Sequence, residues 1–147
     1  MIVEEITIHA PIDMVWGQMI DIDGWPRWTP SVMQATRLDE GPLRVGAQAR
    51  LVQPKMRPAV WTVTALDEAR SLSWVSMQPG VEIVATHDLR PVPEGSAVKL
   101  TIDFQGLLAP YLPFFFGKQS AAYMRQEAEG LKAVVERGMG DDRGVAV

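Results

Sequence analysis

Apolar and polar residues alternate through most of the chain between residues 32 and 105. The clearest case sets Val98, Leu100, Ile102 and Phe104 against Lys99, Thr101, Asp103 and Gln105, the two-residue period of a strand with one buried face. The run before it sets Val81, Ile83, Ala85, His87 and Leu89 against Glu82, Val84, Thr86, Asp88 and Arg90. His87 is thus the odd residue on an apolar face. The pattern predicts strands at Val32–Leu38, Ala47–Gln53, Ala59–Leu66, Ser71–Met77, Val81–Arg90 and Ala97–Gln105. Turn chemistry separates them at Gly41-Pro42, Pro54 to Pro58, Asp67-Glu68, Pro79-Gly80 and Pro93 to Gly95. Connections this short suit antiparallel neighbours, whereas parallel crossovers need a dozen residues or more.

Two segments keep a helical period instead. Ile12, Val15, Trp16 and Met19 follow Pro11, which predicts a short helix over Pro11–Ile20 after a first strand at Ile2–His9. Ala121, Met124, Ala128, Leu131 and Val135 recur at spacings of three and four, which predicts a long helix over Phe114–Arg137. Gly138, Gly140 and the polar residues after them are read as its end, leaving residues 138–147 as a flexible tail. Between the first helix and the sheet lies a bent segment, Trp25-Pro26-Arg27-Trp28. A long helix with one apolar stripe must bury it, and the concave face of a curved antiparallel sheet is the surface available. The expectation is one α+β domain over residues 1–137, and whether helix and sheet enclose a hollow decides the function.

Composition narrows the chemistry. The 147 residues carry 14 Lys and Arg against 18 Asp and Glu, and no two basic residues are adjacent, which argues against capture of nucleic acid. The absence of Cys removes disulfides, thiolate nucleophiles and Cys-ligated metal. With two imidazoles, His9 and His87, one chain cannot build a three-His site. Asp21 and Asp23 lack the glutamate an EF-hand loop needs, since the twelfth position is Val32. Gly41 to Gly46 has phosphate-loop spacing, but Ala47-Gln48 stands where Lys-Ser/Thr is required. No metal and no cofactor are expected. The acidic start, MIVEEITIHAP, is unlike a signal peptide. The longest apolar run, Leu107–Phe116, is ten residues broken by Pro110 and Pro113, short of the ~18–20 needed to span a bilayer. A cytoplasmic protein without a transmembrane segment is expected.

Several pieces together resemble a known family. They are Ile8-His9-Ala10-Pro11-Ile12-Asp13-Met14-Val15-Trp16, Asp21 through Pro30, Val45-Gly46 before a strand, and Leu89-Arg90-Pro91 followed by Glu94-Gly95-Ser96. In order and spacing these are similar to the START-related, birch-pollen-allergen-like (SRPBCC) superfamily, and within it to the polyketide cyclase/dehydrase-like branch. The resemblance implies a helix-grip fold, a seven-stranded antiparallel sheet wrapped around the C-terminal helix with a cavity for an apolar molecule, lipid- or polyketide-like. The cyclase branch uses polar groups projecting into that cavity, at positions that vary among members. No catalytic set transfers residue by residue.

Within that frame, His87 is the candidate general base or donor to a carbonyl, with a satisfied core histidine as the plainer alternative. Gln53 shares a face with Ala49 and Leu51 and either orients a polar ligand group or pairs with backbone at a strand end. Trp61, Val63 and Trp74 are expected on inward faces as walls or core filling, as are Ile83, Ala85, Leu100, Ile102 and Phe104, while Trp28 is a candidate for closing one end. Tyr123 and Met124 would reach the gap from the helix. Tyr111, Phe114, Phe115 and Phe116 are read as packing at the entrance, with membrane contact or homodimerisation as alternatives. Three functions follow: binding of a small hydrophobic molecule, a cyclase or dehydratase using His87, or a non-catalytic interaction module.

Overall fold

The computed structural model describes residues 1–145, except that the side chains of Phe115 and residues 140–145 fall outside the described set. Seven strands form one antiparallel sheet: β1 (Ile2–Ile8), β2 (Gln34–Arg37), β3 (Gln48–Val52), β4 (Ala59–Asp67), β5 (Ser71–Gln78), β6 (Val81–Val92) and β7 (Gly95–Gln105). Their spatial order is β1-β7-β6-β5-β4-β3-β2. Helix α1 (Ile12–Ile20) and a 3₁₀ segment (Ile22–Arg27) carry the chain from one sheet edge to the other, and α2 (Leu112–Val145) follows β7. Every other connection joins neighbouring strands, so the sheet and the long helix make the helix-grip arrangement. Among the described residues no helix is long and apolar enough to cross a membrane.

Local chemistry fixes the corners. Helix α1 ends at Asp21, where ψ leaves the helical range at 74°, and the Trp25 indole N–H donates to the carbonyl of Met19 at 2.9 Å. That bond satisfies a carbonyl the last turn of α1 leaves open. The β6–β7 hairpin turns on Pro93 and Glu94, with Val92 paired to Gly95. A Cβ at Gly95 would press on the Ile8 carbonyl and lie 2.7 Å from the Ala10 nitrogen, so only glycine admits this approach of the β1–α1 corner. Ser96 Oγ locks the corner by donating to the Ala10 carbonyl at 2.8 Å.

The stretch of α2 from residue 128 to 135 lies on the sheet and the core. Ala128, Leu131 and Val135 are buried against the core, and Lys132 Nζ donates to the Thr7 carbonyl at 2.8 Å. Burying a side chain such as Leu131 contributes about 1.5–3 kcal/mol, so this stripe anchors the helix. At Gly130 the helix passes directly over the backbone carbonyl of Trp28, where a Cβ would collide with it.

Some boundaries differ from expectation. Val32 is absent from β2 because its N–H closes a turn to the Thr29 carbonyl at 3.3 Å, beside a Thr29–Ser31 hydroxyl pair at 2.6 Å. Helix α2 begins at Leu112 and runs past Gly138 to Val145. Each glycine costs a helix roughly 1 kcal/mol relative to alanine, which packing of Met139 and Met14 against the core offsets. Of the segment read as a tail, residues 146 and 147 lie outside the described residues.

Candidate functional site

Antiparallel register lines up the inward residues in rungs. Ser76 on β5 pairs with Ile83, which faces Phe104; Trp74 pairs with Ala85, which faces Ile102; Leu72 pairs with His87, which faces Leu100. Over these rungs the N-terminal half of α2 presents Phe116, Gln119, Ser120, Tyr123, Met124 and Glu127, and between the two lies a cavity of about 350 Å³. A smaller chamber of about 60 Å³ lies deeper, bounded by Trp25, Trp74, Ala85, His87 and Leu100. The two share Gln53, Trp61, Ile102, Met124 and Glu127 as walls. On the opposite face of the sheet a groove of about 270 Å³ runs between Glu5, Asp88, Arg90 and Lys99. Its alternating charges make it ordinary solvated surface, and the larger, mostly apolar cavity is the better ligand site.

At the junction of cavity and chamber stands an ion pair. His87 Nε2 lies 2.9 Å from Glu127 Oε1, and Nδ1 lies 3.2 Å from the Leu72 carbonyl oxygen. The imidazole is buried, with Trp25 and Trp74 rings 5.7 and 6.1 Å from it, while the Glu127 side chain is 17% exposed. Burial works against the imidazolium, but the charge and hydrogen bond of Glu127, with lesser help from the Leu72 carbonyl and Asp88, outweigh it. The result is a His87 pKa above its ordinary value. A carbonyl and a carboxylate both accept, so a ring between them satisfies each by carrying a proton on both nitrogens. His87 therefore presents no free nitrogen to the cavity, and Glu127 is the member of the pair that lines it.

Other polar groups are sparse. Trp61 Nε1 is buried and has no hydrogen-bond partner among the described residues, in a wall of both the cavity and the chamber. Ser76 is buried and accepts from Gln78 Nε2 at 3.0 Å, which leaves its own hydroxyl proton available. Near the opening, the Tyr123 hydroxyl donates to the Pro54 carbonyl, and Gln119 Nε2 donates to Tyr123 at 2.9 Å. This clasp ties α2 to the β3–β4 loop, whose exposed Lys55, Met56 and Arg57 form the rim.

Most of the expected site residues come together. Gln53, Trp61, Ile83, Ile102, Phe104, Tyr123 and Met124 line the cavity, and Trp74, Ala85, His87 and Leu100 line the chamber. Three do not join them. Trp28 packs against Trp25 at 5.6 Å with its carbonyl under Gly130, Val63 is sealed in the core beside Trp74, and Tyr111 is 62% exposed. Phe115 has its side chain outside the described set. Phe114 is 87% exposed, whereas Phe116 lines the cavity. Glu127 was absent from the expectation, although it falls three residues after Met124 and four before Leu131, on the buried stripe. An acid at that spacing on an apolar face was the available signal. Among the described residues no group of three or more His, Asp or Glu could hold a metal ion.

Comparison with known proteins agrees with this fold. The family described as polyketide cyclase / dehydrase and lipid transport matches residues 2–136. No curated protein sequence matches the chain. Among solved structures, the protein TTHA0849 of Thermus thermophilus superposes with a TM-score of 0.75 at 18% identity, covering 93% of this chain and 97% of that one. Ara h 8.0201 gives 0.74 at 15% identity, over 92% of this chain and 96% of that one. The di-domain ARO/CYC StfQ from the steffimycin biosynthetic pathway gives 0.74 at 12% identity, over 94% of this chain and 51% of the larger one. At such identities the likeness is one of fold.

Proposed function

The chain belongs to the polyketide cyclase / dehydrase and lipid transport family, and from that premise we propose that it binds a small, largely apolar molecule bearing at least one oxygen group between its sheet and α2. The observation that carries this reading is the cavity of about 350 Å³ walled by Trp61, Ile83, Ile102, Phe104 and Met124. It falls within the ~300–1,000 Å³ of typical ligand sites, and it has the expected few polar groups among apolar walls. Glu127, whose side chain is 17% exposed, supplies an acceptor for a hydroxyl.

A second reading is acid–base catalysis of a cyclisation or dehydration, favoured by the 2.9 Å His87–Glu127 pair. In it Glu127 exchanges a proton with the substrate and His87 holds the carboxylate in place, so His87 acts as a positioning residue.

One experiment separates the two. Trp fluorescence and thermal melting are followed against a panel of aromatic polyketides, fatty acids and sterols. A ligand at a hundred times its Kd adds about 2.7 kcal/mol of stability, and silence across the panel sinks the binding reading. With a bound polyketide-like substrate, Glu127→Gln lowers turnover by about 10²–10⁴ if the pair is catalytic. Unchanged turnover, or none in the wild type, leaves binding alone.

A further inference from the structure

The opening of the cavity differs in character from the rest of the surface. Leu107, Tyr111 and Phe114 are 89, 62 and 87% exposed. The loop that carries them is ordered: Leu108 N–H donates to the Gly80 carbonyl at 2.9 Å, and Tyr111 N–H donates to the Leu108 carbonyl at 3.1 Å. The exposed groups are thus held outward by a folded turn. Leu112 and Phe116, in the following helical turn, line the cavity, so the outer patch adjoins the interior along the chain.

Charge is inverted at the same place. Two of the segments around the opening, residues 53–66 and 104–126, contain Lys55, Arg57, Lys118 and Arg125 and no acidic residue, with Glu127 as the acid of the cavity lining, in a chain whose acids outnumber its bases 18 to 14. Lys55 and Arg57 stand on the cavity rim, and Lys118 follows Phe114 by four residues on one face of α2. Among the described residues none of these three forms an ion pair.

Apolar groups flanked by unpaired cations are what an anionic lipid surface takes up: rings and branched chains enter the headgroup boundary while Lys and Arg meet phosphates. A second copy of the chain fits less well, because a two-fold contact through this face would set Lys55, Arg57 and Lys118 against their own images. We propose that this face docks on an anionic bilayer through Leu107, Tyr111 and Phe114, with Lys55, Arg57 and Lys118 on lipid phosphates. Docking sets the cavity opening against the membrane, so an apolar guest passes between bilayer and protein without entering water.

The test is flotation with vesicles of phosphatidylcholine alone and of phosphatidylcholine with phosphatidylserine. The protein floats with the second at low salt, and partitioning drops as salt is raised. Replacing Lys55, Arg57 and Lys118 by Gln lowers it about a hundredfold, from about fivefold for each basic residue near the surface. Leu107→Ser/Phe114→Ser lowers it on the same vesicles, while Lys55→Arg/Lys118→Arg floats like the wild type. Equal recovery with both vesicle types, or full retention in the Gln and Ser variants, overturns the proposal. So does a wild-type dimer in sedimentation that Leu107→Ser/Phe114→Ser dissociates. Melting curves confirm that each variant is folded. A protein that floats yet binds nothing from the soluble panel keeps the docking face and loses only the cavity reading.

Discussion

At the scale of single residues, the His87–Glu127 pair links stability to pH. The folded pKa of His87 lies above its ordinary 6.5, so the folded state holds that proton more tightly than the unfolded chain. The stability this adds is complete below about pH 6.5 and is lost as pH rises through the folded pKa. Denaturation midpoints should therefore decline on the alkaline side, and the His87 ring resonance should titrate at higher pH than a free imidazole, with His9 resolved beside it as the other histidine signal. Glu127→Gln removes the main opposing charge and leaves burial in control, so the His87 pKa moves down and the alkaline decline shrinks. At neutral pH that variant costs about 1–3 kcal/mol, the worth of a hydrogen bond to a charged partner. A variant with the wild-type pH profile would show that the two groups do not share a proton-linked contact.

At the scale of elements, α2 tests how far helix propensity yields to packing. Two of its glycines should respond to alanine in opposite directions. At Gly117 a Cβ meets nothing within 4 Å, and Gly117→Ala should stabilise by about 0.5–1 kcal/mol. At Gly130 the Cβ would run into the Trp28 carbonyl, and Gly130→Ala should destabilise by about 1–3 kcal/mol as the helix is pushed off the 3₁₀ segment. Urea denaturation of both variants checks this, and a shared sign would mean that the close crossing does not constrain the helix. The same glycines mark what alternation and periodicity can reveal. Val98 to Phe104 announce their strand because one face is wet and one dry, and Pro79-Gly80 and Pro93 to Gly95 announce hairpins through turn chemistry alone. Where Met139 and Met14 carry α2 beyond Gly138, or where a Thr29–Ser31 hydroxyl pair captures Val32, the deciding contact joins distant or non-periodic positions. Glu127 is not legible in the sequence for a related reason: its meaning depends on His87, 40 residues away in the chain.

At the scale of the whole molecule, the question is why a chain with ample apolar residues leaves a cavity of about 350 Å³ unfilled. One end is packed solid: Ala128, Leu131 and Val135 of α2 are buried to 1–2% exposure. The other end is held apart, since the Tyr123–Pro54 clasp fixes the helix to the β3–β4 loop before the side chains between them meet. Apolar walls without partner side chains forfeit dispersion contacts, so a cavity of this size is retained against a standing cost to stability. Filling it should reverse that cost. Ile83 points into the cavity between Ser76 and Phe104, and Ile83→Trp adds a ring where there is room for one. The variant should unfold at the same or higher denaturant, by up to about 2 kcal/mol, while losing the melting shift that apolar ligands give the wild type. Stability and binding would then move in opposite directions from one substitution. Loss of both would mean that the rungs around Ile83 cannot absorb a larger ring, and retention of both would mean that ligands lodge elsewhere than between Ile83 and α2.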